Sequence, residues 1–401
     1  MSRESKASAA PTLAFGIALG FLSVLGPFAI DLYLPAMPAM ASSFAAESGA
    51  VQRTLSAFFI GLAIAQIPVG LLGDRFGRRG PLLGGLLLFM ATSLACAFAQ
   101  TIEQLVFLRF LQGMAACVGT SSARAMIRDQ HQGHGAARLM AFTFLVIGIS
   151  PVLAPLAGSF LLEITSWRGL FLMLAGAALV TALMVAMFLP ETLPEARRRR
   201  QFGQIWVDFG QLLANLPFIG WALVAGCGTT VAFAFVTAAP FIYTRIYELN
   251  GHQYSVLLAM NAVASIIVTQ FAPGLMRRYG ARLLVMMVAI VAGAATVIIA
   301  GLAVMDTPPL FLFQLYSMLL FAIAGLMLTP AATSALDTVS SGAGLAAGLL
   351  GTLQLMVTGI ASASVSLFPS FTLFPLLFVL GTSFLLVLAI MFLLADGPRR
   401  G

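Results

Sequence analysis

Gly70-Leu-Leu-Gly-Asp-Arg-Phe-Gly-Arg-Arg79 is a short charged segment that leads from one long apolar run, at residues 51–72, into another, at 81–99. A run of about 20 apolar residues is long enough to cross a bilayer as a helix. The whole chain follows this pattern, because 60% of its 401 residues are hydrophobic and only 9% are charged. A soluble domain carries about 25% charged residues. We therefore predict an all-α membrane protein. Its basic residues lie in loops between apolar runs, which argues against a nucleic-acid partner.

Apolar runs separated by Gly, Pro and charged residues predict twelve spans. A polar stretch that contains four consecutive arginines, Arg197 to Arg200, divides them into two groups of six. The predicted domains are an N-terminal six-helix half at 1–189, a linker at 190–213 and a C-terminal six-helix half at 214–401. The predicted spans lie near residues 12–37, 51–72, 81–99, 104–126, 139–162, 168–189, 215–242, 254–275, 283–304, 309–334, 343–367 and 373–394.

The two halves contain a weak internal repeat. Asp74-Arg-Phe-Gly-Arg-Arg79 follows span 2, and Arg277-Arg-Tyr-Gly-Ala-Arg282 follows span 8. Both segments occupy the same place within their half, which favours a duplication over a chance recurrence. The sequence therefore predicts two pseudo-symmetric halves.

The distribution of basic residues predicts the orientation. If the N-terminus is cytoplasmic, all but four of the 21 Lys and Arg residues fall on the cytoplasmic side. The exceptions are Arg53, Arg109, Arg168 and Arg245. Basic loops remain on the cytoplasmic side of a membrane. We therefore expect a multi-pass membrane protein with both termini in the cytoplasm.

The segment at 70–79 resembles the signature loop between spans 2 and 3 of the major facilitator superfamily. Two parallel six-helix repeats around a central cleft are the architecture of that family. The resemblance implies that Asp74 latches the two halves on the cytoplasmic side and that Arg78 pairs with an acid at the end of span 4, where Asp129 stands. Gly70 and Gly73 would allow span 2 to approach another helix closely.

Span 1 carries Ile30-Asp-Leu-Tyr-Leu-Pro-Ala-Met-Pro38, which is similar to a pattern of the Bcr/CflA-type drug/proton antiporters within that superfamily. Arg109-Phe-Leu-Gln-Gly113 and Ser166-Trp-Arg168 also resemble family motifs. Span 5 is similar to the antiporter motif of the family, although Ala154 and Ser159 stand where glycine is usual. Its matching residues are Gly148, Pro151, Pro155 and Gly158.

Asp31 in span 1 is the candidate proton-coupling group. Ionisable residues inside a bilayer are costly and persist mainly where they serve a task. Arg109 in span 4 keeps its charge when buried and must find an acceptor. We hypothesise that Arg109 senses the protonation of Asp31, directly or through hydrogen bonds, and that Gln112 extends this network. In the alternative interpretation, Asp31 lies at the membrane surface and Arg109 extends outward to water.

A cleft that binds amphipathic drugs should be largely apolar and aromatic, with a few polar groups. Aromatic residues and buried amides in spans 1, 2, 7, 8 and 11 satisfy this description. The candidate cleft residues are Tyr33, Phe58, Phe59, Phe233, Phe235, Asn261 and Gln354.

The resemblance to the Bcr/CflA-type antiporters implies a proton-coupled antiporter of the bacterial cytoplasmic (inner) membrane that exports small amphipathic drugs, such as chloramphenicol-like antibiotics, by alternating access. The proton gradient would be its energy source, without a cofactor or metal. Its partners would be drugs, protons and the lipid bilayer, and we expect a monomer. A proton-coupled metabolite exporter or importer on the same scaffold is the main alternative, and a non-transporting receptor is another. An intramembrane enzyme fits poorly, because none of the three histidines falls within a predicted span.

Overall fold

A computed structural model describes residues 13–130, 133–195, 203–339, 343–368 and 372–394. Twelve helices in this part of the chain are long and apolar enough to cross a membrane, which confirms the predicted fold class. Helices satisfy all their backbone hydrogen bonds internally, as hydrocarbon requires. In chain order, the spans are Leu13–Asp31 with Met37–Ser43, Ser48–Phe76, Arg79–Ala97, Ile102–Gln130, Gly133–Ile164, Trp167–Phe188, Leu216–Phe241, Gly251–Thr269, Ala281–Met305, Leu310–Asp337, Ala343–Ser366 and Phe374–Leu393.

Spans 2, 4 and 5 are considerably longer than predicted, and span 5 contains 32 residues. Spans 2 and 4 each contain 29 residues. Both continue past their apolar stretch into a charged last turn, where long arginine side chains can reach away from the bilayer. These extensions bring Asp74 at the end of span 2 and Asp129 at the end of span 4 to the same face of the bundle.

The two halves repeat the same helix pairings. Spans 2 and 4, 3 and 6, and 1 and 5 pack together in the first half. The corresponding pairs in the second half are spans 8 and 10, 9 and 12, and 7 and 11. The halves meet where span 2 packs against span 11 and span 5 packs against span 8. These two contacts are related by the same pseudo-symmetry.

Two glycines show that the repeat extends to the backbone. Gly77, between spans 2 and 3, has φ 91° and ψ 170°. Gly280, between spans 8 and 9, has φ 77° and ψ 155°. L-residues rarely adopt a positive φ, so each turn requires glycine. We call the face of the bundle that carries both turns the motif face.

Glycines also allow the two halves to approach closely far from the motif face. A Cβ at Gly49 of span 2 would overlap the carbonyl of Ser366 in span 11. A Cβ at Gly359 of span 11 would lie 2.8 Å from the Cγ1 of Ile60. Spans 2 and 11 are therefore in backbone contact along the part that leads away from the motif face.

The linker predicted at 190–213 contains a helix at Gly203–Ala214. Asn215 follows that helix and caps span 7, because its side chain accepts from the backbone N–H of Phe218. The four arginines at 197–200 lie outside the described residues. The same is true of the chain ends at 1–12 and 395–401, which belong to the two predicted domains.

Candidate functional site

Span 1 is interrupted at the acidic residue that the sequence singled out. Pro35 has no backbone N–H, so the carbonyl of Asp31 lacks a donor four residues ahead. The α-helix ends at Asp31, and a 3-10 turn follows at Leu34–Ala36. A second helix covers Met37–Ser43. Asp31 therefore stands at a helix end inside the bundle.

The side chain of Asp31 is only 5% exposed. Among the described residues, no Lys or Arg side chain lies within ion-pair distance of its carboxyl group. Ionising a carboxyl group in such a place is costly, because neither water nor a cation compensates the charge. The structure thus places Asp31 in the interior rather than at the surface of the bundle.

Arg109 of span 4 is fully buried. Its Nη2 donates to the Ala29 carbonyl at 3.0 Å, and its Nη1 donates to Oε1 of Gln112 at 2.6 Å. Gln112 in turn donates from Nε2 to Oγ of Ser93 at 2.6 Å. Nε of Arg109 has no hydrogen-bond partner in the described part of the chain. The structure therefore joins Arg109 to Gln112, whereas it forms no direct ion pair between Arg109 and Asp31.

Aromatic rings surround the guanidinium of Arg109. Its Cζ lies 4.3 Å from the ring centroid of Tyr33, 4.4 Å from that of Phe58 and 5.8 Å from that of Phe171. The Oη of Tyr33 is 3.2 Å from Oγ1 of Thr54 in span 2. A cation is attracted to the face of an aromatic ring. The rings and the Ala29 carbonyl thus stabilise a buried charge that has no acidic partner here.

Span 5 supports the break in span 1. A Cβ at Gly158 would overlap the carbonyl of Leu32, and it would lie 3.4 Å from Cγ of Pro35. Only glycine permits this approach, which explains why this position of the predicted antiporter motif has no side chain. The other motif residues lie along the same helix: Gly148, Pro151 and Pro155.

The C-terminal half holds a buried polar cluster of Tyr243, Asn261, Gln314 and Ser317. The hydroxyl of Tyr243 donates to Oε1 of Gln314 at 2.7 Å. Oδ1 of Asn261 accepts from Nε2 of Gln314 at 2.8 Å and from Oγ of Ser317 at 3.0 Å. Nδ2 of Asn261 has no partner among the described residues. The cluster therefore keeps an unused donor group in the interior.

Sequence reasoning identified Asn261 alone among these four residues. Gln314 and Ser317 are three residues apart and lie on one face of span 10, which is a signal that the sequence contains. Tyr243 gives no such signal, because it lies beyond Pro240 in a π-helical turn at Ile242–Ile246. Only the folded chain brings its hydroxyl to span 10.

The structure does not bring the predicted cleft residues together in one cavity. Phe58 packs on Arg109, whereas Phe235 packs on Phe313 at 5.8 Å within the C-terminal half. Phe59 of span 2 and Phe233 of span 7 make an edge contact at 4.8 Å and so join the two halves. Of the remaining candidates, Tyr33 lies with Phe58 beside Arg109, whereas Asn261 lies in the polar cluster and partly buried Gln354 lies on the side of span 11 next to span 7.

At the motif face, Arg78 bridges two carboxylates. Its Nη1 lies 2.7 Å from Oδ1 of Asp74, and its Nε donates to Oδ2 of Asp129 at 3.0 Å. Gly73 is in contact with the Arg78 side chain, whereas a Cβ at Gly70 would meet no atom within 4 Å. The ion pair that the resemblance implied between span 2–3 and span 4 is therefore formed.

A third carboxylate, Glu191, holds the same turn. Its oxygens accept from the backbone N–H groups of Arg78 at 2.8 Å and Arg79 at 3.2 Å. Partial burial raises the pKa of Glu191, but hydrogen bonds from Leu193, Arg78, Arg79 and Thr192 outweigh it and hold this pKa below its usual value. Sequence reasoning missed this residue, because it lies more than 110 positions from the turn that it binds.

A cavity of about 250 Å³ opens at the motif face between the two halves. Asp74 and Arg78 line it from the first half, and Gly344 and Gly348 line it from the start of span 11. Asp74 thus faces the same space as the N-terminal end of span 11, although it forms an ion pair with Arg78.

Known proteins with related sequences are transporters. The uncharacterized MFS-type transporter YdgK of Bacillus subtilis is 34% identical over 363 residues, which cover 88% of this chain and 89% of that protein. The bicyclomycin resistance protein homolog of Haemophilus influenzae is 28% identical over 402 residues, covering 95% and 96%. The multidrug transporter MdfA of Escherichia coli O157:H7 is 28% identical over 256 residues, covering 61% and 62%.

Solved structures share the fold. The D-xylose-proton symporter superimposes with a TM-score of 0.75 at 14% identity, covering 97% of this chain and 98% of that chain. A bacterial homolog of the human lysosomal transporter Spinster superimposes with a TM-score of 0.73 at 15% identity and the same coverage. The family model described as Major Facilitator Superfamily matches residues 19–363. The relatives named for bicyclomycin resistance and multidrug transport are consistent with the Bcr/CflA type. The chain therefore belongs to the Major Facilitator Superfamily and is a multi-pass membrane transporter rather than an enzyme.

Proposed function

We propose that this protein is a proton-coupled antiporter that exports small amphipathic drugs from the cytoplasm. The observation that carries the proposal is the isolated, buried carboxyl group of Asp31 at the break in span 1, next to the segment that binds Arg109. A carboxyl group in that place can exchange a proton, and the resulting change in its charge alters its attraction for the guanidinium of Arg109. The relatives named for bicyclomycin resistance and multidrug transport support drugs as the substrates.

The motif face is the cytoplasmic face in this proposal. Arg75, Arg78, Arg79, Arg277 and Arg278 lie at its two turns, and basic loops remain on the cytoplasmic side. Both chain ends would then lie in the cytoplasm of a bacterial cell, with the protein in the inner membrane. Asp31 would be reached from the opposite, external side when the halves separate there.

The coupling step is a competition for Arg109. While Asp31 is protonated, the guanidinium of Arg109 binds the Ala29 carbonyl and Gln112. Loss of the proton creates a carboxylate two residues beyond Ala29, and this stronger acceptor attracts the guanidinium. Protonation and drug occupancy favour states that open to opposite sides, so the inward proton gradient drives outward drug movement.

The test uses inside-out membrane vesicles that contain the protein, a fluorescent amphipathic substrate and an imposed proton gradient. The native protein should accumulate substrate in these vesicles, which corresponds to export from the cell. Asp31→Asn keeps the size of the side chain and removes the exchangeable proton. It should abolish gradient-driven accumulation while the protein remains inserted and monodisperse.

Asp306→Asn is the matched control, because Asp306 is an exposed acid after span 9. It should transport as the native protein does. Gradient-driven transport by Asp31→Asn at the native rate would contradict the role of Asp31. Proton-driven movement of substrate out of the inside-out vesicles would instead indicate an importer.

A further inference from the structure

The cavity at the motif face contains two arginines that the proposed coupling mechanism does not use. Arg124 and Arg128 are one turn apart on span 4, and both line the cavity. Nε of Arg124 donates to the Thr120 carbonyl of its own helix at 3.1 Å. Neither guanidinium forms an ion pair with any residue in the part of the chain that the structure describes. Two like charges thus face the same space without an acidic partner.

The acids near the cavity are already engaged elsewhere. Asp74 lines the cavity and is paired with Arg78. Asp129 binds the same arginine and also accepts from the hydroxyl of Thr192 at 3.2 Å. Asp74 and Asp129 together carry two negative charges against the three positive charges of Arg78, Arg124 and Arg128, so the described side chains at the cavity keep one net positive charge.

The start of span 11 forms the opposite wall of the cavity and adds a partial positive charge there. Gly344 and Gly348 belong to the first two turns of span 11, and both line the cavity. The N-terminal end of a helix carries a partial positive charge and exposes backbone N–H groups. Ser122 lines the near wall beside Arg124. An acceptor in the cavity would meet guanidinium groups on one side and a helix start on the other.

The geometry points to a binding site for one anionic oxygen group, a carboxylate or a phosphate, held between Arg124, Arg128 and the start of span 11. We infer that amphiphiles with a single negative charge are among the molecules that bind at the motif face. A cavity of about 250 Å³ is smaller than the roughly 300–1,000 Å³ of pockets that enclose a whole drug. It therefore accommodates the charged head of such a molecule. The role that this anion site would have in transport rests on the proposed function.

Calorimetric titration of the purified, full-length protein with benzoate tests this site, and benzamide is the matched neutral ligand. Benzoate should bind, and benzamide should bind at least about tenfold more weakly, which corresponds to the loss of one strong interaction. Arg124→Gln with Arg128→Gln should reduce benzoate affinity at least about tenfold. Arg124→Lys with Arg128→Lys should retain most of it, which separates charge loss from misfolding.

Arg277→Gln with Arg278→Gln provides the control, because these two exposed arginines lie before the Gly280 turn on the same face and are not among the residues that line the cavity. This variant should bind benzoate as the native protein does. Equal binding of benzoate and benzamide, or unchanged benzoate affinity in the Arg124→Gln, Arg128→Gln variant, would overturn the inference.

Two further experiments identify whether the anion is a lipid headgroup or a transported substrate. In nanodiscs, a phosphatidylglycerol headgroup that occupies the site would weaken benzoate binding relative to nanodiscs of phosphatidylcholine. If the two nanodiscs bind benzoate equally and inside-out vesicles accumulate it, the anion belongs to a transported substrate.

The failures of the two proposals are distinguishable. If drug transport depends on Asp31 but benzoate does not bind, the anion site is wrong and the antiporter stands. If benzoate binds through Arg124 and Arg128 while Asp31→Asn transports normally, the anion site stands and the proposed coupling is wrong.

Discussion

The turns at Gly77 and Gly280 have the same backbone conformation but different surroundings. A Cβ at Gly77 would meet the carboxylate of Glu191, whereas a Cβ at Gly280 would meet no atom within 4 Å. The first turn is bound by acids, and residues 270–284 around the second contain no acid at all. The two turns therefore share their backbone shape, whereas among the described residues only the turn at Gly77 is bound by carboxylates.

The interiors of the two halves differ in the same way. Arg109 and Ser317 each lie seven residues after the first residue of their helix, in spans 4 and 10. Arg109 belongs to a charged site with Gln112 and Ser93, whereas Ser317 belongs to a neutral cluster with Asn261. The comparison teaches that one half holds the ionisable machinery and that the other offers uncharged hydrogen-bonding groups.

Replacing Arg109 and Ser317, one at a time, by apolar residues should give the largest difference in transport rate between the two halves. Arg109→Met should lower proton-driven transport about 100-fold or more, equivalent to about 2.7 kcal/mol of barrier. Met leaves the Ala29 carbonyl and Oε1 of Gln112 without their donor, which should cost about 1–3 kcal/mol of stability, so rates are compared at equal amounts of folded, inserted protein. Ser317→Ala should cost about 1 kcal/mol of stability and only a small part of the transport rate. Initial rates in inside-out vesicles measure both, and near-native transport by Arg109→Met would remove the asymmetry.

Alanine substitutions at close helix contacts should give the next largest difference between the halves, measured as loss of stability. A Cβ at Gly113 of span 4 would overlap the backbone carbonyl of Phe58, whereas a Cβ at Gly325 of span 10 would meet Oγ1 of Thr269, a side-chain atom. A backbone cannot rotate away, so Gly113→Ala should destabilise the protein by about 2–3 kcal/mol and Gly325→Ala by about 1 kcal/mol.

The three buried free cysteines, Cys96, Cys117 and Cys227, allow that measurement. A thiol-reactive dye reports their exposure during heating and so gives an apparent melting temperature. Equal melting temperatures for Gly113→Ala and Gly325→Ala would show that the close approach of spans 2 and 4 is not needed.

The two turns provide a smaller contrast. Alanine at Gly77 or at Gly280 must adopt a positive φ with an extended ψ, a backbone region essentially limited to glycine, which costs about 1–3 kcal/mol at either position. Gly77→Ala also displaces Glu191 and should therefore lower the melting temperature further than Gly280→Ala does. Glu191→Ala should remove most of that additional loss when it is combined with Gly77→Ala. An additive double variant would show that Glu191 and Gly77 do not interact.

The pH dependence of the Glu191 contact should give the smallest effect. Because folding lowers the pKa of Glu191, its stabilising contribution is complete above the unfolded value of about 4.3. The contribution disappears as the pH falls through the lower folded value. The melting temperature of the native protein should exceed that of Glu191→Gln at pH 7, and the difference should shrink in acid. A constant difference from pH 7 to pH 3 would contradict this assignment.

Local sequence signals predicted the parts of the molecule that depend on neighbouring residues. Apolar runs located the twelve spans, and the spacing of Arg109 and Gln112 at three residues placed their side chains on one helix face. The Glu191 contact and the Tyr243–Gln314 bond depend on helices distant in the chain, and no local pattern encodes such contacts. The sequence leaves open whether Arg109 contacts Asp31 directly or through hydrogen bonds. In the structure, Arg109 donates to the Ala29 carbonyl and not to the carboxyl group of Asp31.

A small tilt of the short helix Met37–Ser43 would displace its far end. At about 1.5 Å per residue it is about 10 Å long, so a tilt of about 10° at the interruption before it would displace its far end by about 2 Å. The Leu32 carbonyl rests against Gly158 at that pivot. If the proton exchange proposed for Asp31 tilts this segment, the far end of span 1 would move by about 2 Å while the other helices keep their shape.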